Sequence, residues 1–426
     1  MIRNLMHKNI IVNYLSLFFA GLSGIFLNIF IISVYDSIVL GNFNFFLAFV
    51  IVLSQFCVGG IQFSVLKHNS HYIRRVSEVS SSVVSALFLS GIFTFFIIII
   101  LYLLTPLLNN FFDLKNFSQS IYLIIPSLLF FSLNKILLMS LNGLNLMQNY
   151  AFFNLLRYVL LLFSVVLFYN LGINVEYLIS VFFISEFILF IMMISFMFFK
   201  VLILSLPKQR WIKRHFFFGL KGMWGGALME TNTRIDILMI GAFLGYGAVG
   251  VYSFASMVAE GFAQVYTILK NNVDPIFGKA YFKNEIDVIN HTIDEVRKRY
   301  LIYLFGLGIV MIMSYKFIFI NIFSLNKTMI VESWNVFIIL TGLIMLSSFY
   351  RPFIGLLNQI NQPEKFSQII IFSVILNIIL NIVLIPWLGI YGAAFSTGLV
   401  FFVESYLVYL FSTKHFLIKE SYARKN

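Results

Sequence analysis

Residues 79–104 read VSSSVVSALFLSGIFTFFIIIILYLL, a run of 26 residues without one charged side chain. A helix that crosses a bilayer needs ~20 predominantly apolar residues, so this run is long enough to span. The same character extends over the whole chain, because 60% of its 426 residues are apolar, 11% are charged and the mean hydropathy is +0.94. Soluble domains carry about 25% charged residues. The sequence therefore predicts an all-α integral membrane protein.

Runs of this kind alternate with short polar breaks along the chain, which leaves no room for a soluble domain. Twelve spans are predicted, at residues 10–34, 40–66, 79–104, 119–141, 150–171, 177–199, 216–245, 247–270, 300–323, 333–356, 366–388 and 391–413. The first run is too long for the apolar core of a signal peptide and is interpreted as a span.

The longest polar stretch runs from Asn271 to Arg299 and contains one apolar stripe at helical spacing. Such a stripe indicates a helix that lies on the membrane surface. The stripe consists of Ile286, Ile289, Ile293 and Val296.

Basic residues set the orientation. With the N-terminus in the cytoplasm, 21 lysines and arginines fall in cytoplasmic segments, whereas the outside loops hold only Lys115 and Lys327. Cytoplasmic loops of membrane proteins carry such an excess. We therefore expect twelve crossings with both termini in the cytoplasm. The net charge of +12 is spread over these short segments, which argues against nucleic-acid binding.

Two glycine-containing motifs recur at similar spacing. Residues 40–43 (LGNF) resemble residues 249–252 (VGVY), and residues 170–173 (NLGI) resemble residues 387–390 (WLGI). The alternative is that turns containing glycine recur by chance. We predict a duplicated chain, with one six-helix half at residues 1–214 and the other at 215–426. Halves with an even number of spans are related by an axis along the membrane normal, and substrate sites of such folds lie in a central cavity between the halves.

Charged side chains inside the predicted spans are the candidate functional residues, because each costs roughly 2.5–3.5 kcal/mol at the bilayer centre. Four of the basic ones fall near the cytoplasmic ends of their spans and would give a cavity a cationic floor that binds phosphate; these are Lys135, Arg157, Lys221 and Arg351. For Lys221, and for Lys316 in span nine, the alternative is a side chain that reaches the interface from within. The predicted substrate-binding residues are Lys135, Arg157, Lys221, Arg234 and Arg351.

The carboxylates fall nearer the middle of their spans and are the candidates for ion coupling. Glu230 and Arg234 are four residues apart and are expected to pair, which leaves Asp236 for another partner. Glu186 and Glu404 lie 14 and 15 residues after Gly172 and Gly389, at matching depths in spans six and twelve. The alternative is that these groups only hold helices together. The predicted coupling residues are Glu186, Glu230, Asp236, Glu260 and Glu404.

No cofactor and no metal are expected. The single cysteine, Cys57, lies in a span, and the six histidines show no paired metal-binding spacing. The chain also lacks the phosphate loop of ATP-driven transporters.

The second half resembles Wzx-type O-antigen flippases of the multidrug/oligosaccharidyl-lipid/polysaccharide exporter (MOP) superfamily. The likeness rests on Asp236, on residues 245–253 (GYGAVGVYS), on Pro275, on residues 377–381 (NIILN), on Ile385-Pro386 and on residues 389–394 (GIYGAA). The span count, the loop lengths and the basic cytoplasmic loops match along the whole chain, whereas the first half matches mainly in pattern.

The resemblance implies a flippase of the bacterial inner membrane. Such proteins move an undecaprenyl-diphosphate-linked oligosaccharide from the cytoplasmic to the periplasmic leaflet without hydrolysing ATP. A proton or a sodium ion would drive the cycle, and other membrane proteins of polysaccharide assembly are candidate partners. No motif identifies the sugars.

Two alternatives remain open at this point. A multidrug exporter of the same superfamily would keep the fold, but the basic residues here suit an anionic substrate better than a cationic drug. A membrane-embedded polymerase or glycosyltransferase would be expected to have a sizeable outside loop or soluble domain. The longest outside loop here, from Thr105 to Ser118, has 14 residues, and we do not expect an enzyme.

Overall fold

The structure, a computed structural model, describes the backbone of residues 2–423 and the side chains of residues 12, 15–16 and 18–414. Regular secondary structure in this part of the chain is helical throughout, which confirms the predicted all-α class. The chain divides into two compact units, Met1–Arg234 (unit 1) and Ile235–Asn426 (unit 2). The predicted domain boundary at residues 214–215 concerns the duplication and stays a prediction.

Seven helices and most of an eighth form unit 1. They are α1 (Ile2–Val34), α2 (Ser37–Val58), α3 (Ile61–His71), α4 (Val76–Phe112), α5 (Phe117–Gly143), α6 (Met147–Asn170), a 3-10 turn (Val175–Ser180), α7 (Val181–Lys200) and α8 (Gln209–Leu244), which continues into unit 2.

Unit 2 contains six further helices. They are α9 (Tyr246–Phe282), α10 (Ile286–Lys316) with a π-helical turn (Phe317–Ile322), α11 (Lys327–Ser347), a 3-10 turn (Arg351–Phe353), α12 (Leu356–Gln359), α13 (Pro363–Leu388) and α14 (Ile390–Ala423).

Within the described residues, nine helical segments are long and apolar enough to cross a membrane, so the chain is a multi-pass membrane protein. These nine coincide with spans two to six and nine to twelve. The other three predicted spans coincide with α1, whose described apolar part is Phe18–Val34, and with α8 and α9, which carry charged residues in their central turns. Twelve crossings therefore stay a prediction.

The second predicted span, 40–66, is broken in the structure. Helix α2 ends at Val58 because Gly59 and Gly60 adopt left-handed backbone angles, with φ of 58° and 71°. A Cβ atom on Gly60 would lie 2.3 Å from the carbonyl oxygen of Gly219 in α8. Glycine is therefore needed twice over here, for the turn and for the close approach of α8.

The tenth predicted span, 333–356, also ends early. Helix α11 stops at Ser347, and Arg351 lies in the 3-10 turn that follows. Pro352 explains this correction, because a proline disfavours helical backbone at the residue before it.

The predicted surface helix is wrong. Its residues belong to the first turns of α10, a continuous helix that begins only four residues after α9 ends. Ile289, Ile293 and Val296 are buried against protein, in a cluster with Phe277 of α9 and Leu357 of α12. An apolar stripe indicates only that one face of a helix is buried, and here that face is buried against other helices of unit 2.

Turns with left-handed backbone recur at similar spacing in the two units. Asp113 and Ser324 are 211 residues apart, Asn145 and Asn361 are 216 apart, and Gly172 and Gly389 are 217 apart; all six have φ between 46° and 64°. A duplicated chain would show such pairs. They support the predicted duplication, and the symmetry of the two halves stays a prediction.

Candidate functional site

Unit 1 holds a buried ion pair between α6 and α7. Arg157 Nε lies 2.7 Å from Glu186 Oε1, and the second guanidinium nitrogen donates to Oε2 at 3.2 Å. The side chains are only 14% and 5% exposed. Asn134 of α5 donates from Nδ2 to the Glu186 carboxylate at 2.8 Å and to its backbone carbonyl at 2.8 Å. Glu186 is therefore held by an arginine, through one hydrogen bond and one close ionic contact, and by an amide.

An aromatic ring connects this pair to a second cation. The Arg157 guanidinium lies 4.5 Å from the centre of the Phe131 ring, and Lys135 Nζ lies 5.2 Å from the same centre. The Lys135 ammonium also donates to Ser54 Oγ of α2 at 2.9 Å. Two positive charges therefore lie against one ring, and Glu186 makes its ion pair with Arg157. Such a cluster attracts an anion of more than one charge.

Unit 2 holds a comparable pair, built on different elements. Arg351 of the 3-10 turn lies 3.3 Å from Glu404 Oε2 of α14 and donates to Ser405 Oγ at 3.4 Å. The two charged side chains are 19% and 7% exposed. The Arg351 guanidinium lies 4.1 Å from the centre of the Phe401 ring. Each unit thus presents an arginine that rests on a phenylalanine and pairs with a glutamate.

These contacts correct the predicted sorting by depth. The sequence placed the arginines towards the cytoplasmic ends of their spans and the glutamates nearer the middle. Direct contact of the side chains means that Arg157 and Glu186 share one depth, as do Arg351 and Glu404. Depth read from a span boundary carries an error of a few residues, or about 1.5 Å for each, and long side chains close the remaining gap.

A third polar cluster lies within unit 2 around Asp236 of α8. The carboxylate accepts a short hydrogen bond from the Tyr252 hydroxyl and another from Thr397 Oγ1 at 3.3 Å. Its other oxygen accepts from the backbone N–H of Ile237 at 2.8 Å. Asp236 is 6% exposed and Tyr252 is fully buried. Asp236 thus has partners outside the stretch of residues 230–234, as expected from its position.

The remaining candidates lie on α8 and α9. Lys221 is exposed on α8 and Glu260 is exposed on α9. Glu230 and Arg234 are half-buried on α8, and the charge of Glu230 acts favourably on Lys135. The Glu230–Arg234 pair stays a prediction. Lys316 ends α10 with Nζ 3.4 Å from the centre of the Trp334 ring.

Sequence reasoning missed the residues that support the charges. These are Ser54, Phe131, Asn134, Tyr252, Thr397, Phe401 and Ser405. A signal existed for Asn134 and Ser405, since each directly adjoins a charged residue inside an apolar run. Phenylalanine carries no such signal, because the chain has 52 of them.

A curated relative shares part of this sequence. This relative is the probable low-salt glycan biosynthesis flippase Agl15 of Haloferax volcanii, and the chain is 29% identical to it over 191 residues, or 45% of the chain. The match covers 40% of that relative's length. No family model matches the chain.

Solved structures match nearly the whole chain. An inward-facing multidrug resistance MATE family transporter of the MOP superfamily superposes with a TM-score of 0.79 at 14% identity, over 94% of this chain and 96% of that one. The chain has the fold of the MOP transporters. The lipid II flippase MurJ in an inward closed conformation gives a TM-score of 0.74 at 17% identity, over 95% of this chain and 87% of its own.

The resemblance seen in the sequence is thereby confirmed. The MOP fold accommodates both a drug transporter and a lipid flippase among these neighbours, so the fold alone does not select the substrate.

Proposed function

We propose that this protein is a flippase for undecaprenyl-diphosphate-linked oligosaccharide repeat units, such as those of O-antigen or a similar surface polysaccharide. It moves them from the cytoplasmic to the periplasmic leaflet of a bacterial inner membrane, with both of its termini in the cytoplasm. The partial match to a glycan biosynthesis flippase and the shared fold with a lipid II flippase support this substrate class.

The observation that carries the proposal is the pair of arginine–glutamate contacts, one in each unit. A guanidinium binds phosphate through two parallel hydrogen bonds, in the same geometry that it uses for a carboxylate. In the absence of substrate, each glutamate occupies the position that a phosphate oxygen would take. Lys135 adds a second positive charge at the ring that Arg157 contacts, which favours a diphosphate over a single carboxylate.

Substrate binding at these arginines provides a physical basis for ion coupling. When a diphosphate takes the guanidinium, the glutamate is left as a buried carboxylate without its partner. Such a group gains affinity for a proton or another cation. Glu186 and Glu404 would therefore take up a cation as the substrate binds and release it as the pairs re-form.

Asp236 is the second coupling candidate. Its carboxylate, with the hydroxyl oxygens of Tyr252 and Thr397, gathers three oxygen atoms of three different side chains in a buried place. Oxygen ligands of this kind suit a hard cation such as sodium. Asp236→Asn would keep the shape and remove the charge.

The test is transport of a fluorescent undecaprenyl-diphosphate-linked sugar in proteoliposomes under an imposed pH or sodium gradient. We expect Arg157→Ala and Arg351→Ala to abolish flipping, and Arg→Lys to restore it only in part because the fork is lost. Glu186→Gln, Glu404→Gln and Asp236→Asn should blunt the response to one of the gradients. Normal flipping by both arginine variants would refute the diphosphate site.

Multidrug export is the second candidate, because the MATE transporter superposes with the higher of the two TM-scores. A cationic drug requires exposed or releasable negative charge, whereas both buried glutamates here are neutralised by arginine. The same proteoliposomes loaded with a cationic dye separate the two functions. Dye efflux that persists in Arg157→Ala, together with no sugar flipping by the parent, would establish export instead.

A further inference from the structure

The segment between α7 and α8, residues 201–208, lies along α4 and is held there at both ends. The backbone N–H of Ile203 donates to Ser80 Oγ at 3.0 Å, and the backbone N–H of Lys208 donates to Ser85 Oγ at 2.9 Å. Each serine hydroxyl also donates to a carbonyl of its own helix, at 2.8 Å from Ser80 and 2.6 Å from Ser85. We call residues 201–208 the strap.

Side-chain packing holds the strap more firmly than these bonds alone. Leu202 is 5% exposed and packs with Val83 and Met197. Immediately after the strap, Trp211 is fully buried and its Nε1 donates to Glu78 at 3.0 Å. The strap is therefore fixed to unit 1 on both sides, and its outward side chains cannot turn inward without breaking these contacts.

Those outward side chains are apolar. Leu204 is 93% exposed, Leu206 is 82% exposed, and Phe199 at the end of α7 is 84% exposed. A fixed apolar edge of this size is unfavourable in water. A non-helical backbone is equally unfavourable in the hydrocarbon core. The level that suits both is the boundary between lipid headgroups and acyl chains.

Cations flank the same edge. Lys200, Lys208 and Lys213 are exposed, whereas Arg210 is paired with Glu78 at 2.6 Å and Arg214 lies 5.2 Å from the centre of the Trp211 ring. Leucines beside exposed lysines match the chemistry of an anionic phospholipid, with acyl chain below and phosphate above.

We propose that the strap is a binding surface for anionic phospholipid, in the leaflet that lies at the C-terminal end of α7. The leucines insert at the acyl boundary, and the three exposed lysines attract the headgroup charge. Because the strap leads directly into α8 at Gln209, lipid binding there fixes the starting point of α8 relative to the membrane. The proposal is independent of what the protein transports.

The experiment places an environment-sensitive fluorophore on Leu204→Cys in a Cys57→Ser background. The probe is read in nanodiscs of phosphatidylcholine with 0 or 30% phosphatidylglycerol, so that both compositions are bilayers. We expect a blue shift with phosphatidylglycerol that is reduced by 0.5 M salt. Replacing Lys200, Lys208 and Lys213 with glutamine should lower the lipid's apparent affinity about tenfold or more.

The matched control carries the same fluorophore on Leu171→Cys, which is 64% exposed in the turn that precedes α7. That turn lies at the other end of α7 and lacks the lysine cluster, so its spectrum should not respond to phosphatidylglycerol. Equal shifts at both sites, or a shift at residue 204 that survives the lysine substitutions, would overturn the proposal. Circular dichroism and gel filtration of each variant establish that it is folded.

Discussion

The two arginine–glutamate pairs differ in how firmly they are held. In unit 1, Arg157 makes two contacts with Glu186, at 2.7 and 3.2 Å, and Asn134 holds the same glutamate. In unit 2, Arg351 makes one ion-pair contact, at 3.3 Å, and Ser405 supports the arginine at 3.4 Å. The first pair has two short contacts and a supporting amide, whereas the second has one longer contact.

The supporting backbone explains the difference. Arg157 and Glu186 both stand on long helices, α6 and α7, which pack against each other. Arg351 stands on a 3-10 turn of three residues that contains Pro352 and follows the end of α11 at Ser347. A short turn can shift at lower cost than a helix. We infer that Arg351 leaves Glu404 to bind a phosphate more easily than Arg157 leaves Glu186.

The largest effect is expected where the first pair is broken. Arg157→Ala leaves Glu186 charged and buried without a guanidinium, and breaking a buried pair in this way costs about 3–5 kcal/mol. SDS-induced unfolding measures this loss, and Lys115→Ala in an exposed loop should change nothing.

The double variant Arg157→Met with Glu186→Gln separates folding from binding. It removes both charges and should recover most of the stability, because an apolar replacement of a buried pair is often neutral. It should still fail to flip a diphosphate-linked sugar. Recovery of flipping would show that Arg157 acts only as a structural partner.

A smaller effect is expected from the looser pair. Arg351→Ala should cost about 1–2 kcal/mol of unfolding free energy, because Glu404 loses a single contact of 3.3 Å. Transport should nevertheless be lost as completely as in Arg157→Ala. A stability loss equal to that of Arg157→Ala would remove the distinction between the two units.

Sequence reasoning located the charges but not their partners. Arg157 and Glu186 could be singled out because a charge is costly in an apolar run, and this cost is independent of the fold. Their pairing depends on how α6 and α7 pack, which no spacing between positions 157 and 186 encodes. The break after Ser347 was readable from Pro352, yet the apolar residues on either side concealed it. The stripe from Ile286 to Val296 was identified correctly as an apolar face but assigned to the wrong neighbour.

The supporting side chains provide the next test of the comparison. Asn134→Ala removes two hydrogen bonds to Glu186, one of them to a charged oxygen, and should cost about 1.5–3 kcal/mol. Ser405→Ala removes one long bond from Arg351 and the bond that Ser405 donates to the Phe401 carbonyl of its own helix, and should cost about 0.5–1 kcal/mol. SDS unfolding of the two variants in parallel gives the ratio. If Ser405→Ala proved the more costly, unit 2 would be the more rigid site.

The aromatic supports should give the smallest effect and the most specific one. Phe131→Leu and Phe401→Leu keep an apolar side chain of similar reach but remove the face on which the guanidinium rests, which is worth about 0.5–2 kcal/mol. The Phe131 ring contacts two cations, Arg157 and Lys135, whereas the Phe401 ring contacts Arg351. Two like charges beside one ring repel each other, and the ring reduces that repulsion. We therefore expect Phe131→Leu to weaken binding of a diphosphate more than binding of a monophosphate, since only the diphosphate engages both cations. Phe401→Leu should weaken binding of the two ligands equally.

The measurement is competition by undecaprenyl diphosphate and undecaprenyl monophosphate against a fluorescent lipid-linked sugar. Both variants are first shown to have a free energy of unfolding within about 2 kcal/mol of the parent. An equal loss for both ligands in Phe131→Leu would mean that Lys135 takes no part in binding, and the cationic site of unit 1 would then consist of Arg157 alone.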